Sequence, residues 1–278
     1  MDFLNYFKKD IGVDLGTANT LVYVKGAGIV VNEPSIAAVN NKTGQVLAIG
    51  KEARKMVGRA PAHISVIRPL VNGVISDFEM TQEILRHYLK KIGNNSIFNY
   101  HRAVIGIPTN LTEVERKSVE DVALSSGAAK AYLIEEPVAA ALGAGLPINE
   151  PTSNMIVDIG GGTVEIAIIS MGGVVTARSL KIAGDKLNED VIKFIRDEFK
   201  LVIGEPTAEE LKTIIGSALP LDERLEMAIR GRDMSTGLPR EEMVKGSQVR
   251  AAISRSLKAV IEAIKETKET TPPELVGD

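Results

Sequence analysis

The 278-residue sequence contains no cysteine, no tryptophan and only three histidines, His63, His87 and His101. Without cysteine the chain forms no disulfide and no thiolate metal site, which fits a reducing compartment. The histidines lack metal-ligand spacing, so we interpret them as surface or packing residues. The formal net charge of −3 gives no support for bulk binding of nucleic acid.

Long apolar runs are also missing. No stretch reaches the roughly 18 apolar residues that span a bilayer, and the N-terminus lacks the apolar core of a signal peptide. We therefore expect a cytoplasmic protein. A Walker-type phosphate loop, which needs Gly-Lys-Ser/Thr before a helix, does not occur either. The apolar content of 44% is ample for the cores of two domains.

One short Gly-rich pattern is present twice, as DLGTANT at 14–20 and DIGGGTV at 158–164. The copies keep one register, because Asp14 and Asp158 are 158 − 14 = 144 positions apart, as are Gly16 and Gly160. Apolar runs flank both copies, so each is predicted to form strand, tight turn and strand. A lone copy could be an ordinary β-turn, but two in-register copies favour a pair of turns that hold one polyphosphate from both sides.

The residue types in the two copies suit that chemistry. Glycine lets the backbone come close to a phosphate and point several amides at it. Thr17, Asn19 and Thr163 add side-chain donors. Asp14 and Asp158 would repel phosphate directly, but they are explained by a hydrated Mg²⁺ between them and the phosphates, since Mg²⁺ keeps most of its waters.

The remaining sequence alternates strand-like and helical segments. Strands are predicted at 11–15, 20–24, 29–39, 46–49, 103–107, 131–134, 155–159, 164–169 and 174–182. Helices are predicted at 77–92 behind an Asp77 cap, at 112–126 from a Thr112–Glu115 capping box, at 187–199, from a Thr207–Glu210 capping box onward, and at 248–268, with Pro272 and Pro273 as a stop. The order hairpin, insertion, strand and helix occurs twice, which indicates a duplicated α/β architecture.

Longer motifs carry a family resemblance. The two hairpins, IEEPVAAALGAGLP at 134–147 and STGLPRE at 235–241 together resemble the MreB family, the bacterial actin homologues of the actin/DnaK/sugar-kinase superfamily. The likeness runs from KDIGVDLGTANTLVYVKGAGIVVNEPS at 9–35 to ETTPPELVGD at 269–278. It implies a duplicated actin-like (ribonuclease H-like) ATPase fold, with two domains around a nucleotide cleft and with ATP and Mg²⁺ as cofactors.

The resemblance also implies a biological role. It predicts an ATPase that polymerises with itself into filaments on the inner face of the cell membrane, so that the protein is cytoplasmic and peripheral. There it would organise peptidoglycan synthesis and rod shape with elongasome proteins such as RodZ, MreC and MreD, without nucleic acid. The alternatives are a monomeric ATPase or sugar kinase of the same superfamily, and a non-functional fragment. A DnaK-type chaperone would need a peptide-binding domain beyond the end of this sequence.

By the same resemblance, domain I is expected at 1–143 with a small insertion at about 32–76. Domain II is expected at 144–278 with an insertion at about 182–246, ending before the adenine-binding Gly-rich loop of the family. We therefore expect either a fragment or truncated reading frame, or a chain that has lost part of domain II. Val164 replaces the second threonine of the usual GGGTTE, while Thr163 is retained.

Site roles follow by matching positions. Glu136 matches the residue that orients the attacking water, and Thr163, which matches the second phosphate loop, is expected to be catalytic as well. From the residues alone, Glu135 and Glu136 are equally good as acidic residues at a helix start, and only the resemblance favours Glu136. The predicted phosphate contacts are Gly16, Thr17, Ala18, Asn19, Gly160, Gly161, Gly162 and Thr163, with Asp14 and Asp158 around the Mg²⁺.

Two further sites are implied less directly. The adenosine is expected near Gly184 and a helix containing Glu209, Glu210, Leu211 and Lys212, although the charged residues there could simply face solvent.

Ile97 and Phe98, in the polar loop NNSIFNYH, are expected to contact the membrane. The N-terminal Phe3, Leu4 and Phe7 are a second candidate anchor, and both candidates could instead be buried in domain I.

Overall fold

The computed structural model describes residues 10–92, 102–220 and 225–277. Its strands are β1 (Ile11–Leu15), β2 (Asn19–Val24), β3 (Gly28–Pro34), β4 (Ala37–Asn40), β5 (Val46–Ile49), β6 (Ile64–Ile67), β7 (Leu70–Val71), β8 (Val74–Ile75), β9 (Ala103–Ile107), β10 (Ala131–Glu135), β11 (Asn154–Ile159), β12 (Val164–Ser170), β13 (Gly173–Leu180), β14 (Leu201–Val202), β15 (Glu226–Asp233) and β16 (Pro239–Lys245). Its helices are α1 (Lys51–Arg54), α2 (Phe78–Ile92), α3 (Glu113–Ser125), α4 (Glu136–Gly143), α5 (Gly184–Phe199), α6 (Glu205–Ile215), α7 (Gly246–Glu269) and α8 (Pro273–Val276).

The largest sheet has the order β10-β9-β1-β2-β3. Strands β10, β9 and β1 run parallel, whereas β1, β2 and β3 are antiparallel neighbours. In β1 the side chains of Ile11, Val13 and Leu15 are buried and alternate with more exposed ones, as a sheet with one packed face requires. That face shares its core with helices α2 and α3, through residues such as Ile84 and Val122.

Both Gly-rich copies form the predicted hairpins. In the first, Asp14 pairs with Leu21 and Leu15 with Thr20 across β1 and β2. In the second, Asp158 pairs with Glu165 across β11 and β12, within a sheet of order β11-β12-β13. The sequence prediction of strand, tight turn and strand is therefore confirmed for each copy.

The single strand predicted at 29–39 is wrong, because this stretch is two strands, β3 and β4, in different sheets. Pro34, the last residue of β3, has no N–H with which to continue a ladder. Ser35 then turns inward, where its Oγ donates to Gly16 O at 2.6 Å. Strand β4 joins β5 and β6 in a small sheet of its own, and β6 was not predicted.

Helix starts follow local capping chemistry. Asp77 Oδ1 accepts from Met80 N at 3.0 Å ahead of α2, and Thr112 forms the predicted capping box with Glu115 at α3. The capping box predicted at Thr207 is wrong, because α6 begins two residues earlier, at Glu205. Its N-cap is Gly204, and Pro206 occupies the first turn, a position where a missing N–H costs nothing.

The described residues divide into two compact units. The first lies within Met1–Ser179 and Thr267–Asp278, and the second is Leu180–Glu266. In the second unit the sheet β14-β15-β16 shares a core with α5 and α6, which includes Ile195 and Ile229. The predicted division after residue 143 stays a prediction. None of the described helices is long and apolar enough to cross a membrane.

Candidate functional site

A cavity of about 900 Å³ in the first unit collects the predicted phosphate, metal and water-orienting residues. Its size is within the range of small-molecule sites. The predicted residues that line it are Asp14, Gly16, Thr17, Ala18, Asn19, Glu136, Asp158, Gly160, Gly161, Gly162 and Thr163. Residues from both hairpin turns thus line one cavity, although the two turns are 158 − 14 = 144 positions apart in the sequence.

The two hairpin turns come so close that only glycine fits between them. A Cβ on Gly161 would lie 2.6 Å from Ala18 Cβ, and a Cβ on Gly162 would lie 2.5 Å from Thr17 Oγ1 and 2.9 Å from Asn72 Cα. These distances are shorter than real carbon contacts. The glycines of the second copy therefore serve close packing of the turns as well as close approach to a phosphate.

The turn Asn72–Gly73 was missed by the sequence reasoning. It joins β7 and β8, and both residues have positive φ, 52° and 75°. An Asn-Gly pair is the usual signal for such a two-residue hairpin, so the signal was present in the sequence. Gly73 N donates to Thr17 Oγ1 at 2.9 Å. Because Thr17 Oγ1 is the acceptor in this bond, the Thr17 O–H can still donate to another group.

Glu136 is the first residue of α4, directly after β10. Its side chain packs over Gly106 of β9, where an added Cβ would lie 3.4 Å from Glu136 Cγ. Glu135, in contrast, forms an ion pair with Arg116 at 3.5 Å and does not line the cavity. The sequence alone could not separate the two glutamates, whereas their positions in the fold differ clearly.

Burial raises the pKa of each of the three carboxylates at the cavity, and neighbouring negative charge adds to this for Asp14 and Glu136. Burial, with the charge of Asp158, raises the pKa of Asp14 to about 6. Burial, with the charges of Asp14, Glu165 and Asp158, raises the pKa of Glu136 to about 8, and burial raises the pKa of Asp158. A cation at this place would relieve the repulsion.

The donor set fits a hydrated cation better than a fully protein-bound one. Within residues 10–92, 102–220 and 225–277 there is no group of three or more His, Cys, Asp or Glu side chains that could hold a metal ion. Asp14 and Asp158 are two carboxylates at one cavity, and Mg²⁺ is commonly bound through one or two carboxylates while it keeps several waters.

Predicted adenosine residues cluster within the second unit. Lys212 Nζ donates to Glu209 Oε2 at 2.7 Å and to Gly184 O at 3.0 Å. Asn188, which the sequence reasoning missed, donates from Nδ2 to Glu209 Oε2 at 2.7 Å. Leu211 is fully buried in the core of this unit, whereas Glu210 is exposed.

The predicted membrane residues, Ile97 and Phe98, lie outside the described residues, as do Phe3, Leu4 and Phe7. Their placement therefore stays a prediction.

The paired hairpins and their shared cavity define the class of actin-like α/β proteins. The MreB/Mbl protein family matches residues 8–278, and the chain belongs to this family. The cell shape-determining protein Mbl of Bacillus subtilis is 49% identical over 272 residues, which cover 98% of this chain and 82% of the relative. The cell shape-determining protein MreB of Escherichia coli is 44% identical over 281 residues, covering 99% and 81%.

Solved structures agree with this assignment. MreB5 of Spiroplasma citri bound to AMPPNP superposes with a TM-score of 0.93 at 41% identity, covering 98% of this chain and 81% of that one. A MamK double helical filament has a TM-score of 0.80 at 23% identity, covering 97% and 82%, and supports the fold alone. The predicted family and actin-like fold are confirmed.

Proposed function

We propose that the chain binds ATP with Mg²⁺ at the cavity, hydrolyses it, and polymerises into filaments. The observation that carries the proposal is the meeting of two Gly-rich turns and three acidic side chains, Asp14, Glu136 and Asp158, at one cavity. The relatives from Spiroplasma citri, bound to AMPPNP in one structure and to ADP in another, support a nucleotide as the ligand.

The two turns would hold the phosphates. Backbone amides of 16–19 and 160–163 provide donors, and Thr17, Asn19 and Thr163 add side-chain donors. Asp14 and Asp158 would hold Mg²⁺ through its waters. Bound there, the metal supplies positive charge that stabilises the negative charge developing on the phosphates. Gly184 and the segment Glu209–Lys212 are proposed for the adenosine.

Glu136 would orient the attacking water, and Thr163 would hold the phosphate in position for the attack. Phosphoryl transfer depends mostly on positioning and on charge stabilisation. A carboxylate that accepts a hydrogen bond from water is sufficient for that role. The raised pKa of Glu136 also indicates that the group is held in a low-dielectric, acid-rich site, as is common for functional residues.

Beyond the nucleotide, we propose that the filament lies on the inner face of the cell membrane through Ile97 and Phe98. There it would organise peptidoglycan synthesis with proteins such as RodZ, MreC and MreD, and so maintain rod shape. The names of the relatives, cell shape-determining proteins, support the cell-shape role. The filament proposal is supported by the actin-like fold.

Sedimentation and phosphate release measured together test the proposal. Increasing concentrations of the chain are incubated with ATP and Mg²⁺, with ADP, or without nucleotide, and are then centrifuged. Pelleting above a threshold concentration, with ATP-dependent phosphate release, is expected. Phosphate release without pelleting at any concentration would favour the alternative of a monomeric ATPase. Release that depends on an added sugar would favour a kinase, and absence of ATP binding would contradict the proposal.

A further inference from the structure

Glu165 is a buried carboxylate at the edge of the site. It lies in β12, two residues after Thr163, and its side chain is almost completely buried. Oε2 accepts from Thr109 Oγ1 at 2.8 Å and from Thr109 N at 3.4 Å, and Oε1 accepts from Ser179 Oγ at 2.5 Å. A buried carboxylate is costly unless such donors satisfy it.

These bonds connect parts of the first unit that are remote in sequence. Thr109 lies two residues beyond the end of β9, and Ser179 belongs to β13. Strand β9 is in the five-stranded sheet, whereas β12 and β13 are in the three-stranded sheet. The Glu165 carboxylate therefore links the end of β9, in the five-stranded sheet, to strands β12 and β13 of the three-stranded sheet.

The groups linked by Glu165 lie close in sequence to the surroundings of both residues that we propose for hydrolysis, Glu136 and Thr163. On one side, Thr109 is three residues after Gly106, the glycine over which the Glu136 side chain packs. On the other side, Glu165 continues the strand that begins directly after Thr163. The bond between Glu165 and Thr109 is therefore a side-chain link between the strand that follows Thr163 and the loop that follows Gly106.

We propose that Glu165 is a positioning residue which, through Thr109, fixes Glu136 relative to Thr163 across the cavity. This inference rests on the proposed hydrolysis. Misplacement of reacting groups by about 1 Å can cost as much as about 10²-fold in rate. Glu165 is also close enough to Glu136 that its charge adds to the effect of burial in raising the pKa of Glu136.

Isosteric substitutions separate positioning from packing. Thr109→Val keeps the shape of the side chain but removes the O–H that donates to Glu165. Its matched control is Thr81→Val, which removes a bond that is likewise part-buried, from Thr81 Oγ1 to Asp77 O at 2.7 Å, in helix α2. We expect Thr109→Val to lower kcat for phosphate release by about tenfold or more, with KM for ATP nearly unchanged. Thr81→Val should lower Tm similarly and leave kcat unchanged.

A second set of variants acts on the carboxylate itself. Glu165→Gln keeps an acceptor for Thr109 and offers its amide N–H to the Ser179 hydroxyl, so it should restore most of the kcat that Glu165→Leu loses. Ser179→Ala removes one donor with the least structural change, and it should lower kcat in the same direction as Thr109→Val. It serves as the test if the other variants fold poorly.

The outcomes are distinguishable. If the unchanged chain hydrolyses ATP, and Thr109→Val and Ser179→Ala only lower Tm while kcat stays at the level of Thr81→Val, the inference is overturned and the proposed function stands. The inference is also overturned if Glu165→Gln is as slow as Glu165→Leu. If the unchanged chain binds no ATP, the proposed function fails first, and the inference fails with it.

Discussion

Glu135 and Glu136 are neighbours in sequence but have different surroundings, and this difference gives a direct test. Glu136 lines the cavity, while Glu135 is paired with Arg116. We expect Glu136→Ala to bind ATP nearly as tightly as the unchanged chain and to release phosphate about 10²-fold more slowly or worse, because water positioning acts in the transition state. Glu135→Ala is the control and should hydrolyse normally. Equal rates in the two variants would remove Glu136 from its proposed role.

The proposed metal role of Asp158 is tested by metal removal. Asp158→Asn keeps the size of the side chain but removes its charge. We expect nucleotide affinity in Mg²⁺ to fall about 10–100-fold, as for other groups that act on a metal through an intermediate ligand. Affinity in EDTA should change little. Fluorescent nucleotide titrations in both buffers measure this, and equal losses in both would make Asp158 a structural residue of its hairpin.

The raised pKa of Glu136 predicts how the ligand-free chain responds to pH. Its pKa is about 8 in the folded chain against an ordinary value of 4.5, so the folded chain holds this proton more tightly than the unfolded chain. The contribution to stability is therefore full below about pH 4.5 and is lost as pH rises through about 8. Between these two pKa values, each unit of pH lowers the free energy of unfolding by about 1.4 kcal/mol, or Tm by about 2–4 °C.

Thermal melts of the ligand-free chain check this dependence. Between pH 6 and 8 the Tm should fall by a few degrees, and Glu136→Gln should flatten most of that slope. Asp14, with a pKa of about 6, contributes mainly at lower pH. An unchanged slope in Glu136→Gln would show that other groups cause it.

Which site residues the sequence reveals depends on how local their pattern is. Asp14, Gly16 and their counterparts belong to a short repeat that is visible without any structure. Gly73 and Glu165 were not singled out, because each reaches the site through a partner 56 positions away, Thr17 and Thr109 respectively. The Asn-Gly pair at 72–73 does indicate a hairpin, but no spacing rule within the chain shows which distant residue such a turn or side chain contacts.

Of the two Gly-rich hairpin turns, the second has less space for an added Cβ. A Cβ on Gly162 would lie within 3.0 Å of Thr17 Oγ1 and of two backbone atoms of Asn72. Because backbone atoms cannot swing away, Gly162→Ala should destabilise the chain by about 1–3 kcal/mol and weaken nucleotide binding. Gly173→Ala, at the start of β13, is the control, since its added Cβ would have no neighbour closer than 4.0 Å. A normal Tm and normal affinity in Gly162→Ala would contradict this tight packing.

Helices and strands were predictable to different degrees for a physical reason. Helices α2 and α3 have side-chain caps, which are local signals, and both were predicted. Strands β15 and β16 were not predicted as strands. In β15 only Ile229 and Asp233 are buried, and charged residues such as Arg230 lie between them, so the sequence shows no apolar alternation.

The division of the chain into two units also leaves no local trace. Strand β13 ends at Leu180 and helix α7 ends at Glu269, so both elements run through the unit boundaries at 179/180 and 266/267. A boundary inside a regular element has no Gly-rich or Pro-rich linker. The composition of the sequence therefore could not mark it.

The proposed membrane contact works only for an assembly. Burying the side chains of Ile97 and Phe98 in lipid would stabilise binding by about 1.5–3 kcal/mol each, which is too little to hold a single chain on a bilayer. Many copies in a filament bind together, and avidity then makes a weak contact sufficient. The double variant Ile97→Ser/Phe98→Ser should therefore lose liposome co-sedimentation while its ATP hydrolysis in solution stays unchanged.

The matched control for this variant is Leu219→Ser/Leu238→Ser, which removes two exposed apolar side chains of the second unit, 72% and 65% exposed. It should sediment with liposomes as the unchanged chain does. If Ile97→Ser/Phe98→Ser sediments normally, Phe3, Leu4 and Phe7 become the remaining candidate anchor. If it loses Tm together with lipid binding, the pair is part of a protein core, because a lipid-facing pair should be nearly neutral for stability in solution.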